Sequence, residues 1–308
     1  MMTALPVLDV AAFSDSDWYP ALDRACSEWG CFQIVRHGID AALIAATLRQ
    51  MQEFFSLPLN EKLAIERTAD NAWGFFDREL TRNVRDWKEI FDFGPVAEDG
   101  PMAGSVPQWP ASLPDFQAVI ESFYAAVQRV AEGILAGISS NLGMAPDYLG
   151  ASFGERHTSF LRLNYYPLCA SPGEHLGISR HTDSGALTVL LADSQPGLQF
   201  LHRGQWHTVA PNPEALTINI GDIVQVWSND RYIAPPHRVL ASAEKERFSA
   251  PFFYNPDYSV DYAPLPGVVS KEVPARYRAI NWGEFRAGRA AGDYADLGEE
   301  IQIDHFRC

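Results

Sequence analysis

The chain has 308 residues, of which 47% are hydrophobic and 20% charged, the balance of a globular protein with a sizeable core. Its formal charge of −15 argues against nucleic acid or an anionic membrane as partner, so any anion it binds must be held by local arginines or lysines. Cys26, Cys31, Cys169 and Cys308 form no paired spacing, no apolar run is long enough to span a bilayer, and the N-terminus carries no basic-then-apolar leader. A reduced, soluble, cytoplasmic protein is expected. The oligomeric state is open, with a monomer as the expectation.

Along the chain, residues 16–29 carry an amphipathic helical stretch that stops at Gly30. Cys31–Arg36 reads as a strand, and Asp40 is placed to cap a second helix running to about Phe55. Residues 66–113 read as irregular, rich in aromatic residues, Pro and Gly. From Pro114 to about Leu142, apolar residues from Phe116 to Ile138 recur at steps of three and four, predicting a long helix that supports a sheet. After about residue 155 the pattern changes to short runs separated by Gly, Pro, Asn or Asp. These are Ser159–Tyr165, Ala186–Leu191, Gly197–Leu201, Gln205–Val209, Leu216–Ile220, Ile223–Trp227 and Phe248–Tyr254. Close, even spacing of such runs predicts an antiparallel sandwich or barrel. The tail from Pro274 returns to helix. With no repeat and no linker, a single domain spanning 1–308 is expected.

Four segments carry chemistry. They are Arg-Leu-Asn-Tyr-Tyr-Pro (162–167), His181-Thr-Asp183, Pro-His237-Arg-Val, and Arg247-Phe-Ser249. In an extended segment, residues two apart share a face, so His181 and Asp183 can address one ion. His237 can join them from a second β segment. Two His and one Asp on one side of a metal form the facial triad of non-haem iron(II) oxygenases, which leaves positions open for reactants. The remaining histidines, His37, His157, His175, His202, His207 and His305, read as core or surface residues. No cysteine has the spacing of a structural zinc site. Arg247 and Ser249 also share a strand face, and a guanidinium fork beside a hydroxyl suits a carboxylate. Arg162, Asn164 and Tyr166 share a face that can line the same cavity. For Arg162 and Arg82, a grip on a substrate carboxylate and a partner within the fold are both open readings.

Taken together, these segments resemble the isopenicillin-N-synthase-like family of iron(II)- and 2-oxoglutarate-dependent dioxygenases. Leu5-Pro-Val-Leu-Asp9, Cys26–Ile34, Phe54–Pro58, Asp86–Gly94, Gln108-Trp-Pro110, Asn219-Ile-Gly-Asp222 and Trp227-Ser-Asn229 extend the likeness over nearly the whole chain. The resemblance implies an α+β fold with a mainly β core. Its core would be a double-stranded β-helix, or jelly roll, over 156–256. An N-terminal helical and irregular region (1–113), the long helix (114–155) and a C-terminal helical segment (257–308) would flank it.

By position, the resemblance makes His181, Asp183 and His237 the iron(II) ligands. It places 2-oxoglutarate on Arg247 and Ser249, assisted by Tyr166 and Asn164, with O2 as the other co-substrate. Phe253, Asn255 and Arg162 fall at substrate-contacting positions. Trp73, Phe75, Phe76 and Arg82 would form a pocket wall, and the C-terminal helix would close over it. One departure is Ala234-Pro-Pro before His237, where many relatives carry a Ser. The implied reaction is oxidation of a C–H bond of a small organic molecule, with release of succinate and CO2. The outcome is hydroxylation, desaturation or ring formation. A 2-oxoglutarate-independent oxidase or cyclase of the same fold, and a non-catalytic metal-binding sensor, are the alternatives.

Overall fold

Two β-sheets take up the short apolar runs of the second half of the chain; the computed structural model describes residues 5–10, 18–81, 83–96, 100–292 and 301–308. Near the start, β1 (Val7–Asp9) lies parallel to β2 (Cys31–Val35), with α1 (Trp18–Glu28) connecting them. Beyond α1 the chain turns at Gly30, whose φ of +69° is left-handed. A Cβ there would sit 2.1 Å from the Ile233 carbonyl oxygen, so glycine meets two demands at once. Asp40 caps α2 (Ala41–Phe55), its Oδ1 accepting from the Ala42 amide at 2.8 Å. A short helix, α3 (Leu59–Leu63), follows.

The stretch 66–113 is less irregular than its composition suggests. It forms β3 (Gly74–Phe76), the small ladder of β4 (Leu80–Thr81) with β5 (Val84–Arg85), and β6 (Glu89–Phe93). Strand β6 is hard to read because its charges are turned inward. Asp92 is buried between the guanidinium groups of Arg67 and Arg162, and Glu89 accepts from Lys62 at 2.6 Å. The long helix α4 (Phe116–Asn141) buries Phe116, Ile120, Phe123, Val127, Val130, Ile134 and Ile138, the stripe expected from their spacing.

The jelly roll is completed by β7 (Phe160–Tyr166), β8 (Leu176–His181), β9 (Leu187–Ala192), β10 (Leu198–His202), β11 (Gln205–Thr208), β12 (Ala215–Ile220), β13 (His237–Leu240) and β14 (Arg247–Tyr254). The large sheet has the order β1-β2-β12-β9-β14-β7-β6-β3, and the small one β11-β10-β13-β8. Apart from β1 with β2, every pairing in these sheets is antiparallel. Helix α4 packs on β9 and β14, and on α1 and α2. This is the double-stranded β-helix with helices from both ends of the chain against it.

One expected strand is absent. Ile223–Trp227 is not extended but belongs to a helix, α5 (Asp222–Trp227), in which every residue is buried. A run buried on all sides shows neither a period of 2 nor one of 3.6, so sequence periodicity cannot separate the two states.

The last part of the chain forms β15 (Asp261–Tyr262) with β16 (Ile280–Asn281), then α6 (Trp282–Gly292), so helix resumes later than Pro274. The terminal residues are held by Asp230, which accepts from Arg307, Arg276, Tyr277 and Gln225. Burial opposes its ionisation, but these four donors outweigh it and bring Asp230 down to about 2 from an ordinary 3.8. A carboxylate with a lowered folded-state value stabilises fully above its unfolded value and loses that contribution as pH falls through the folded one. Thermal unfolding of the protein is therefore expected to lose stability between about pH 4 and pH 2, and Asp230→Asn to show a flatter profile across that window.

Candidate active site

Pairing of β13 with β8 sets His237 directly opposite His181, with ring centroids 4.2 Å apart. The Nδ1 of His181 is 2.8 Å from the Ser179 carbonyl oxygen, and that of His237 is 3.1 Å from the Pro235 carbonyl oxygen. A carbonyl only accepts, so each Nδ1 carries the proton and each Nε2 keeps its lone pair. Both Nε2 atoms face Asp183 Oδ1, at 3.7 and 3.6 Å. The three ligand atoms lie within 4.8 Å of one another.

Asp183 reaches this point by a different route from the one expected. Strand β8 ends at His181, and Asp183 sits in the turn beyond it, its carbonyl accepting from the Asp222 amide. Its other carboxylate oxygen, Oδ2, accepts from Thr188 Oγ1 at 2.6 Å and from the Asn219 side-chain amide. Thr188 on β9 and Asn219 on β12 are register partners, so two strands of the large sheet aim the carboxylate at the small one.

Burial and the neighbouring His237 push His181 down to about 3. For Asp183 burial works the other way, but His237, His181, Thr188 and Asn219 hold it below its ordinary value. The carboxylate thus faces the Nε2 atoms of both imidazoles. Three acceptors turned toward one point repel each other unless a cation sits among them. The donor set fits a divalent transition metal held from one side, with positions left open. Replacing Asn219 with Ala frees the carboxylate to rotate, and iron(II) affinity measured by titration is expected to fall about 10- to 100-fold.

Arg247 and Ser249 on β14 stand opposite Tyr166 and Asn164 on β7. Arg247 is 4% exposed, its Nη1 lies 3.3 Å from Ser249 Oγ, and its guanidinium lies 5.0 Å from the centre of the Tyr166 ring. The Asn164 amide donates to Ser249 Oγ at 3.5 Å. Arg247 Nε and Asn164 Oδ1 are both buried without a partner. A buried guanidinium with an idle donor is costly unless an anion meets it, and a carboxylate matches its fork.

Arg247, Tyr166 and Asn164 line one cavity of about 150 Å³ with the triad and with Phe160, Arg162, Phe253 and Asn255. The Asn255 amide donates to the Thr158 carbonyl oxygen at 3.3 Å, which leaves its Oδ1 buried and unbonded. Arg162 reaches the cavity but spends its fork elsewhere. Its Nε and Nη2 donate to Asp92 at 2.7 and 2.9 Å, and its Nη1 to Glu79 at 2.7 Å.

None of the three aromatic residues expected to form the pocket wall lines this cavity. Phe75 is fully buried in the core against Phe54, because it lies in β3 at the edge of the large sheet. Trp73 packs behind Phe160, and its Nε1 donates to the Pro95 carbonyl oxygen, so it does not reach the cavity. Phe76 lies beneath the guanidinium groups of Arg67 and Arg78. Arg82 falls outside the described residues.

Several lining residues were not anticipated. Glu79, Thr81 and Lys88 form a polar wall, with Lys88 donating to Glu79 at 2.7 Å and to Asp86 at 3.0 Å. Burial raises the cost of ionising Glu79, yet Arg162, Lys88 and Arg67 hold it well below its ordinary value. Asp86 in turn accepts from the Ser179 amide at 3.2 Å, tying this wall to the strand that carries His181. Arg286 and Arg289 enter from α6. Their three-residue spacing on a helix was the available signal.

Residues 157–256 match the 2OG-Fe(II) oxygenase superfamily, and residues 5–115 match the N-terminal region described as non-haem dioxygenase in morphine synthesis. The chain is 34% identical over 288 residues to flavanone 3-dioxygenase 2 of Oryza sativa subsp. japonica, covering 91% of this chain and 82% of that one. It is 33% identical over 294 residues to oxoglutarate-dependent flavonoid 7-O-demethylase 1 of Ocimum basilicum, covering 93% and 78%. Among solved structures, that of JOX2 in complex with 2OG, Fe and JA superimposes with a TM-score of 0.85 at 30% identity, over 98% of this chain and 88% of that one.

Proposed function

The chain belongs to the 2OG-Fe(II) oxygenase superfamily and is an iron(II)- and 2-oxoglutarate-dependent dioxygenase, and on that footing we propose that it hydroxylates a small organic molecule seated between the triad and the Phe160–Phe253 wall. When bound, iron(II) and 2-oxoglutarate supply the oxidising chemistry, the co-substrate being converted with O2 to succinate and CO2. His181, Asp183 and His237 would hold the metal from one side, and the carbonyl oxygens of Ser179 and Pro235 fix the imidazole tautomers that make this possible. Arg247 and Ser249 would receive the distal carboxylate, with the Tyr166 ring against the guanidinium.

Ile178, Leu190, Leu198 and Val239 line the same cavity with hydrocarbon, which excludes water from the reacting atoms. Phe160 and Phe253, 4.7 Å apart between centroids, offer an apolar surface for the body of the substrate. The observation that carries the reading is the pairing in one cavity of the three-acceptor cluster with a buried arginine whose Nε has no partner. Its test is O2-dependent conversion of 2-oxoglutarate to succinate by the iron(II)-loaded protein. A same-fold oxidase that dispenses with the co-substrate would consume O2 on its substrate and form no succinate.

A further inference from the structure

Strand β8 ends in the metal-facing His181 and lies at the end of the small sheet, beside β13. Its register against β13 slips twice. His237 pairs with His181, Val239 with Ile178 and Leu240 with Leu176, so β8 runs from 176 to 181 while β13 runs only from 237 to 240. Extra residues of this kind turn backbone groups out of the ladder and re-aim the side chains next to them. Here the side chain next to the slip is His181.

The segment between β5 and β6 runs beside the slipped strand and holds it at two points. The Trp87 amide donates to the Leu176 carbonyl oxygen at 2.9 Å, and the Ser179 amide donates to Asp86 Oδ1 at 3.2 Å. Leu176 and Ser179 are three apart, so in a regular strand their polar groups would point to opposite edges. The slip lets one short segment meet both. Asp86 is buried, and its Oδ2 accepts from Thr81 Oγ1 at 2.6 Å and from Lys88 Nζ at 3.0 Å. Thr81 and Lys88 line the cavity. Ser179, held by its amide, offers its carbonyl oxygen to His181 Nδ1 at 2.8 Å. Pro235, which serves His237 in the same way, has its φ fixed by its own ring. Ser179 has no such restraint, and Asp86 supplies one.

We propose that Asp86 is a positioning residue for the metal centre: it pins the slipped edge of β8 through the Ser179 amide and so fixes the direction in which His181 presents its Nε2. It acts through Ser179. The assignment rests on the oxygenase reading for the identity of the metal, and on the geometry of β8 for the rest.

The test is titration of the full chain under nitrogen with iron(II), and with cobalt(II) read by its visible absorption. Asp86→Ala is expected to weaken iron(II) binding about tenfold or more and to alter the spectrum of bound cobalt(II), which reports ligand geometry. Asp86→Asn keeps an oxygen for the Ser179 amide and should recover most of the loss. Asp92→Asn disturbs the neighbouring ion pairs of Arg67 and Arg162 but not the hold on β8, and should bind iron(II) like the wild type. In the metal-free wild-type protein the Ser179 amide should be protected from hydrogen exchange, although it stands at a slip in the ladder. That measurement needs no variant, so it decides the matter even where Asp86→Ala does not fold. An affinity unchanged in Asp86→Ala, an equal loss in Asp92→Asn, or a rapidly exchanging Ser179 amide overturns the proposal. A lack of succinate formation by the wild-type protein would instead overturn the oxygenase reading and leave the differences in metal affinity standing.

Discussion

Replacing His237 with alanine is expected to lower succinate formation at least about a thousandfold, because the metal carries the oxidising chemistry and one of its three protein donors is gone. His181→Ala should behave alike, since the two imidazoles stand opposite each other in register and both Nε2 atoms face Asp183 Oδ1. The loss should appear first as weakened iron(II) binding. Unfolding temperature in the absence of metal should change little, because the variant relieves the mutual repulsion of three acceptors. A His237→Ala protein that keeps a tenth of the wild-type rate would show that the imidazole is not a ligand.

Arg247→Ala is expected to raise the KM for 2-oxoglutarate about a hundredfold, the loss of two charge-assisted hydrogen bonds in a buried site. Arg247 is 4% exposed, so solvent cannot take over its role. Arg247→Lys restores a cation without the planar fork, and an intermediate KM, about tenfold above wild type, is expected. Steady-state kinetics with varied 2-oxoglutarate separates the two variants. A KM unaltered by Arg247→Ala would place the co-substrate elsewhere, and would favour a reaction that does not use it.

Much of this site could be read from the chain because its chemistry is concentrated in pairs of residues two apart. Arg247 with Ser249, and Asn164 with Tyr166, share strand faces as the period of two requires, and β14 and β7 bring the pairs together in register. His181 and Asp183 are brought together too, but across the end of β8 rather than along one strand. Side chains that act from a distance in sequence were harder to see. Thr188 and Asn219 orient Asp183 from two other strands, and nothing in their local spacing marks them as partners.

Where charge is buried, patterning misleads. Strand β6 does not alternate between buried and exposed residues, and Asp92 faces Arg67 and Arg162 instead of solvent. Arg162 itself looked available to a substrate and is committed to Asp92 and Glu79. Aromatic composition misled in the opposite direction. Trp73 and Phe75 lie in the aromatic-rich stretch assigned to the pocket, yet Phe75 serves the core and Trp73 backs Phe160. The run Ile223–Trp227 shows the same limit for backbone state, since full burial erases the periodicity that separates helix from strand.

The ferrous centre itself is open to direct observation. Crystals of the protein loaded with iron(II) and 2-oxoglutarate under nitrogen, measured at the iron absorption edge, should show one anomalous peak at the meeting point of β8, β13 and the turn bearing Asp183. Its distances to His181 Nε2, Asp183 Oδ1 and His237 Nε2 should each be about 2.0–2.2 Å, as for other imidazole- and carboxylate-bound first-row metals. A peak held by other residues, or a fully loaded crystal with no density between these three side chains, would contradict the metal site on which the proposed reaction depends.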